Sequence, residues 1–428
     1  MSRIRQTSAL KIRRKKLIKD SKTKIEKVVA VYLEKDNSDL QYEMAELSEL
    51  VRTANGKIEI SFVQKKQLPD KATLVGSGKL QEIADYCATN EVDTVLFCDN
   101  LNAIQRRNIA EKLDCNIIDK TDLILDIFAL HAKSAEGKKQ VELAQLSYRL
   151  ANRQDKEYTR QGGGIGTRGP GETQLETDKR NIRRKIYQLN AELEQLEKQR
   201  QTVRKSRTRN EIFTVALVGY TNAGKSTLFN TLTGNNVYAD NLLFATLDTT
   251  TRKVKCNGID IVITDTVGFI KDLPHQLVKA FRSTLDETLL ADVILNVADI
   301  TNENVVLHNN VTRQLLAQLG VTAPVITVYN KIDNYNGVKP ELQEDTVFIS
   351  ALTGKNIDVL WQLIEKYLMQ RYAKVHLNVP MSDLGTVLAT LNKYNADTVA
   401  RYTDTGASID AVIDRRFISA VSAYITIV

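Results

Sequence analysis

Cysteine and histidine are scarce in this chain, and neither falls in clusters. Cys87, Cys98, Cys115 and Cys256 lie far apart with no C-x-x-C pair, and His131, His275, His308 and His376 are equally scattered. This argues against a disulfide framework and against a structural zinc site. Long apolar runs are also missing: none approaches the roughly 20 residues that span a bilayer. The opening MSRIRQTSALKIRRKKLIKD lacks the apolar centre of a signal peptide. A soluble, cytoplasmic protein without a membrane span is therefore expected. Acidic residues are thin in two places. Residues 1–27 carry 11 Lys/Arg against Asp20 and Glu26, and residues 136–210 carry 18 Lys/Arg against 10 Asp/Glu, so with a total of +7 the rest of the chain is about −10. Positive potential gathered on a tail and one central segment is the footprint of a polyanion binder, set against the plainer reading of a tail and a solvated helix. Glycine is sparse as well, only 20 in 428 residues, yet six stand between Gly162 and Gly171 in RQGGGIGTRGPGETQLETD.

What is present reads as several α/β units. KVVAVYL, EISFVQ, TVLFC and NIID are strands, and MAELSELVRTA, KLQEIADYCATN and AIQRRNIAEKL are helices. Strands alternating with helices predict a parallel sheet, placing an N-terminal α/β domain over 26–135 behind a basic tail, 1–25. GSGK, Gly76 to Lys79, is too short to identify a nucleotide site and reads as a strand-to-helix turn. From Gly137 the pattern becomes helical, with Val141, Leu143, Leu146 and Leu150 near one face. Beyond the glycine loop, Leu175, Ile182, Ile186, Leu189, Leu193, Leu196 and Val203 form a seam at 3.5-residue period. Two such helices predict an antiparallel hairpin over 136–210 whose tip is the loop 160–174. Glycine is costly to order, so a glycine-rich tip suggests a backbone that approaches a partner closely. Arg160 and Arg168 flank it, making Arg160, Gly162, Gly163, Gly164 and Arg168 candidate RNA contacts. A flexible linker is the alternative.

The chemistry lies further on. TVALVGYTNAGKSTLFNTLTG is a strand, then a Gly219-x-x-x-x-Gly224-Lys225-Ser226 loop, then a helix, which is the context of a P-loop. Backbone N–H groups along Gly219, Tyr220, Thr221, Asn222, Ala223, Gly224, Lys225, Ser226 and Thr227 can face phosphates. Lys225 can reach the β- and γ-phosphates, and the Ser226 hydroxyl can ligate Mg²⁺. IDIVITDTVGF then brings Asp265, a candidate Mg²⁺ ligand at the carboxyl end of a buried neighbouring strand, and Gly268, whose N–H can meet the γ-phosphate. VITVYNKID supplies Asn330, Lys331 and Asp333; a carboxylate there can accept both N1–H and N2–H of guanine, which adenine does not offer. VFISALTG supplies Ser350, Ala351 and Leu352, with the Ala351 N–H aimed at guanine O6. Four such motifs in this order predict a doubly wound GTP-binding domain over 211–372 with its site at the carboxyl ends of the strands.

Between the first two motifs, NLLFATLDTTTRKV is read as a segment that closes over the nucleotide. Thr246 is the chosen Mg²⁺- and γ-phosphate-sensing residue ahead of Thr249, Thr250 and Thr251, and an edge strand is the alternative. Lys225, Thr246 and Gly268 are thus the catalytic candidates, and Ser226, Thr246 and Asp265 the metal candidates. Phe269 stands where many small GTPases carry a glutamine that orients water, so slow intrinsic hydrolysis completed by a partner is expected.

With these residues in view, the sequence resembles the HflX family of translation-associated GTPases. The likeness rests on LDIFALHAKSAEGKKQVELAQLSY, the RQGGGIGTRGPGETQLETD loop, FATLD and DTVGFI, and runs from about Ile25 onward. Thr249 departs from the proline usual in that family after FATLD. The resemblance implies a multidomain α/β protein: a P-loop GTPase domain, an N-terminal α/β domain with a long antiparallel hairpin, and a small α/β C-terminal domain, 373–428. It also implies binding to the large ribosomal subunit and its RNA, splitting of stalled ribosomes, and a hairpin loop that probes near the peptidyl transferase centre. GTP is the expected substrate and Mg²⁺ the expected cofactor. Asn222 resembles an asparagine that holds K⁺ in potassium-activated GTPases, with a local loop hydrogen bond as the alternative. No DNA partner is expected, and a monomer is. The competing function is a GTPase of ribosome assembly or RNA modification, although no catalytic cysteine motif or KH-type G-x-x-G cleft accompanies the site.

Overall fold

The computed structural model describes residues 25–36, 39–152, 170–210, 212–234, 243–244, 249–270, 289–337, 344–393, 396–403 and 405–426. The basic tail before residue 25, the glycine-rich tip with Arg160, Gly162, Gly163, Gly164 and Arg168, and Thr246 lie outside the described residues. By contacts the chain divides into two compact units, residues 1–130 with 151–168, and residues 131–150 with 169–428.

The first unit holds a four-stranded parallel sheet. Its order is β2-β1-β3-β4, from β1 (Glu26–Glu34), β2 (Gly56–Lys65), β3 (Thr94–Phe97) and β4 (Asn116–Asp119). Val28 to Leu33 are all buried, as a central parallel strand covered on both faces requires. The crossovers are α1 (Leu40–Thr53), α2 (Ser77–Thr89) and α3 (Ala103–Ala110), with α4 (Lys120–His131) following β4. Their ends follow from local chemistry. Asp39 accepts the Tyr42 N–H at 3.1 Å, and Asn102 with Gln105 forms a capping box. Gly76 precedes α2 at φ −64°, with its N–H donated to Gln64 Oε1 at 2.8 Å. GSGK is thus a turn into a helix.

The second unit opens with the helical pair α5 (Ala135–Ala151) and α6 (Pro170–Asn210), which carry cross-helix ion pairs from Lys139 to Glu192 (2.9 Å) and from Lys185 to Glu142 (3.8 Å). Leu189, on the predicted seam of α6, is 1% exposed. On α5 the buried residues are Gly137, Gln140, Val141, Ala144 and Tyr148, so the face sits a residue away from the predicted leucines, which are half-buried.

A six-stranded sheet follows, in the order β10-β9-β8-β5-β7-β6. It is built from β5 (Phe213–Gly219), β6 (Thr250–Cys256), β7 (Ile259–Asp265), β8 (Val293–Asp299), β9 (Val325–Asn330) and β10 (Thr346–Phe348). All neighbours are parallel except β6, which returns on β7 through Asn257 and Gly258, at φ 49° and 81°, a turn needing two left-handed residues. Among the described residues its helices are α7 (Lys225–Thr233), α8 (Val305–Gln318) and α9 (Ile357–Arg371). Leu217, Leu228, Phe229, Ile261 and Leu295 lie fully buried in its core, each stabilising it by about 2 kcal/mol.

The last sheet, β12-β13-β11-β14, is antiparallel. Its strands are β11 (Tyr372–Pro380), β12 (Asp397–Thr403), β13 (Gly406–Asp414) and β14 (Ile425–Thr426), with α10 (Leu384–Lys393) on one face. The alternating burial of β11 and β13 is that of a one-sided sheet. Arg371 at the end of α9 bonds Asp292 and Asp414, each at 2.8 Å, and so joins the two sheets of this unit.

Candidate functional site

The site is built where β5 ends and α7 begins. Gly219 has φ 143°, and a Cβ there would lie 2.1 Å from the Val297 carbonyl oxygen of the next strand. Gly224 has φ 90°, and its Cβ would lie 2.2 Å from Asn330 Nδ2. These two glycines are required by close approach as well as by backbone angle. Gly224 stands at the N-cap of α7 with no side-chain cap, so the helix presents bare N–H groups and the positive end of its dipole. Lys225 is buried, with Nζ donating to the carbonyls of Gly219 (3.1 Å) and Tyr220 (2.8 Å). Burial pushes its amine down to about 8, opposed by the charge of Asp265. An amine so placed gains fully from a phosphate charge brought beside it.

Asp265 ends β7 and is 2% exposed; its Oδ2 accepts the Ser226 hydroxyl at 2.7 Å. Among the described residues no group of three or more His, Cys, Asp or Glu side chains could hold a metal alone. A hydroxyl and a carboxylate in contact at the head of a phosphate loop suit Mg²⁺, which takes most of its ligands from water and phosphate. Gly268 packs over the loop: a Cβ on it would stand 2.8 Å from Thr221 Cγ2 and 3.1 Å from Lys225 Nζ. Beside it the Thr221 hydroxyl is buried without a hydrogen-bond partner, a donor suited to a phosphate oxygen.

Asn330 ties the loops together. Its Nδ2 donates to the Ala223 carbonyl and its Oδ1 accepts the Ala351 N–H, both at 2.9 Å. The N–H expected at guanine O6 is thereby already donated within the protein. Lys331, at φ 67°, reaches the Asn222 carbonyl at 2.9 Å and Asp299 Oδ2 at 2.6 Å. Asp333 follows in a short 3-10 turn and is exposed, as is Leu352, whereas Ser350 is fully buried with Oγ accepting the Thr353 N–H. The sequence-predicted residues from Gly219 to Thr227, together with Asp265, Gly268, Asn330, Lys331, Asp333 and Ser350 to Leu352, thus gather at the carboxyl ends of β5, β7, β9 and β10.

One expectation changes. Thr250 and Thr251 stand in β6, an edge strand, with Thr251 against Thr264 at 3.3 Å, so neither is in a closing loop. β7 ends at Asp265. Phe269 then makes an isolated bridge with Tyr220: its N–H donates to the Gly219 carbonyl (3.0 Å) and its carbonyl accepts the Thr221 N–H (2.9 Å), while its ring is buried. Sequence reasoning missed Asp299, Thr266, whose hydroxyl donates to the Leu217 carbonyl at 2.6 Å, and His308, whose ring stacks on Tyr220. Asp299 had a signal, an acid at the end of a buried strand; His308 had none.

A parallel sheet with this loop, this lysine and a guanine-type N-K-x-D define the class: a P-loop GTPase. Comparison with known proteins gives the family. Residues 41–129, 131–207 and 214–331 match family models described as GTP-binding GTPase N-terminal, GTP-binding GTPase middle region and 50S ribosome-binding GTPase. The GTPase HflX of Caldanaerobacter subterraneus subsp. tengcongensis is 45% identical over 339 residues, 78% of this chain and 79% of the relative. That of Alkalihalophilus pseudofirmus is 42% identical over 85% of this chain and 88% of the relative, and that of Escherichia coli 43% over 81% and 83%. The chain belongs to the HflX family of GTPases. No helix among the described residues is long and apolar enough to cross a membrane.

Proposed function

We propose that this GTPase acts in the cytoplasm as a monomer, binds the large ribosomal subunit through its RNA, and uses the GTP cycle to split stalled or idle ribosomes. The observation that carries the reading is the basic helical pair α5–α6 standing directly before the nucleotide domain, within a segment that matches the family's middle region. In this reading the tip 160–174, with Arg160, Gly162, Gly163, Gly164 and Arg168, enters a channel walled by RNA, where slender glycines fit and arginines meet phosphates.

In the nucleotide site, Lys225 leaves the Gly219 and Tyr220 carbonyls for the β- and γ-phosphates, and the N–H groups from Asn222 to Thr227 hold the remaining phosphate oxygens. Ser226, with Asp265 behind it and Thr246, would hold Mg²⁺, which neutralises phosphate charge, and Asn222 would hold K⁺. Asp333 reads the guanine edge, and Asn330 with Ser350 to Leu352 shapes the base pocket. Gly268 offers its N–H to the γ-phosphate. The Phe269 ring is in the core and cannot orient water, so hydrolysis is slow alone and quickened by ribosomes.

The test is co-sedimentation with purified subunits and with intact ribosomes under a GTP analogue, GDP and no nucleotide. The expected result is GTP-analogue-dependent pelleting with large subunits and conversion of intact ribosomes to subunits. Binding without conversion would leave an assembly factor in its place, and equal pelleting in all three states would remove the switch.

A further inference from the structure

The rings of Tyr220 and His308 lie 3.8 Å apart between centroids and 5° from parallel, both buried. Tyr220 is the first variable residue of the phosphate loop, and His308 belongs to α8, outside every nucleotide motif. The Tyr220 carbonyl is one of the two that hold Lys225. The residues on either side of Tyr220 make the two hydrogen bonds to Phe269, next to Gly268. His308 is itself seated firmly. Its carbonyl accepts the Thr312 hydroxyl at 3.0 Å, and its neighbour Asn309 bonds Asn296 of β8 (3.0 Å) and the Tyr329 hydroxyl of β9 (3.3 Å). A flat stack between a helix fixed on two strands and the root of a phosphate loop fixes that root in place, which plain core burial of an aromatic does not demand.

We infer that His308 is a positioning residue for GTP hydrolysis: stacking on Tyr220, it holds the Gly219–Tyr220 backbone in register with Phe269 and so sets Gly268 against the γ-phosphate. GDP lacks that phosphate and is held further along, from Asn222 to Thr227, so the stack bears on hydrolysis more than on GDP binding. The inference rests on the phosphate-site assignment proposed above and is independent of the ribosome.

The experiment compares the full-length parent, His308→Ala, His308→Phe and Lys225→Ala in single-turnover GTP hydrolysis without ribosomes, alongside GDP affinity from a fluorescent analogue. His308→Ala should slow hydrolysis about three- to tenfold, the range a stacked aromatic pair is worth, and leave GDP affinity within about twofold. His308→Phe, which can still stack, should return the rate to within about twofold of the parent. An unchanged rate in His308→Ala, an equal loss of GDP affinity, or a His308→Phe variant as slow as His308→Ala would each overturn it. Lys225→Ala hydrolysing at the parent rate would instead sink the phosphate-site assignment itself.

Discussion

The N-terminal sheet and the GTPase sheet are both built on parallel strands with helical crossovers, and they differ in what stands at their carboxyl edges. In the N-terminal sheet that edge is filled by its own charges. Lys35 pairs with Asp99 (2.7 Å), Lys120 with Glu46 (2.5 Å), and Arg106 with both Asp119 (2.7 Å) and Asp122 (2.6 Å). Burial and the adjacent Asp119 charge push Asp122 above the usual carboxylate range. In the GTPase sheet the same edge carries two glycines at positive φ, an uncapped helix and a desolvated lysine. A parallel sheet provides the place for a site, but bare backbone N–H groups make it one.

The glycines give the sharpest way to break this contrast. Gly219→Ala puts a methyl into the Val297 carbonyl and a non-glycine residue at φ 143°, and should weaken GTP binding by about 4 kcal/mol, read by calorimetry. Gly76→Ala, at φ −64° beside the movable Gln64 amide, should change stability by less than about 0.5 kcal/mol and GTP affinity not at all. A harmless Gly219→Ala would show that the cradle does not need its close approach. Next in size, Lys120→Met leaves the buried Glu46 with one fewer partner. It should cost about 3 kcal/mol in urea unfolding of the N-terminal sheet while GTP hydrolysis is unchanged. Retained stability would mean that this edge is not held by its charges.

The third sheet supplies a smaller loss than Gly219→Ala or Lys120→Met. Burial raises the Asp414 carboxyl, but the combined hydrogen bonds from Arg416 and Arg371 outweigh it and hold it at about 2. A depressed carboxylate stabilises the fold above its unfolded value near 3.8 and loses that contribution as pH falls toward 2. About 2 kcal/mol should therefore disappear between those values, and less in Arg371→Ala, as measured by chemical unfolding at stepped pH. A flat profile across that window would remove Asp414 from the account.

Much of this was legible in the residues, and the limits have physical causes. The buried runs of β1, β3 and β5 announced parallel strands because a strand covered on both faces must be apolar throughout, and the glycine spacing of the phosphate loop announced itself because no other residue fits those angles. The burial face of α5 is not legible from apolarity alone, since it carries Gly137, Gln140, Ala144 and Tyr148 beside Val141 and leaves Leu143, Leu146 and Leu150 half-buried. Thr250 and Thr251 could serve equally as loop hydroxyls or as β-branched edge residues, and only pairing with β7 decides. His308 was invisible because a stack between residues 88 apart in number leaves no periodic mark.

Arg371 has one more consequence. A single guanidinium grips Asp292 at the foot of β8 and Asp414 at the end of β13, while Asn257 of the β6–β7 turn donates to Glu365 of α9 at 2.7 Å. The C-terminal sheet therefore has no free hinge where β11 leaves α9. Pulled by its end, it would transmit tension into the GTPase sheet before it peeled away, so a mechanical load on one would be felt at the other.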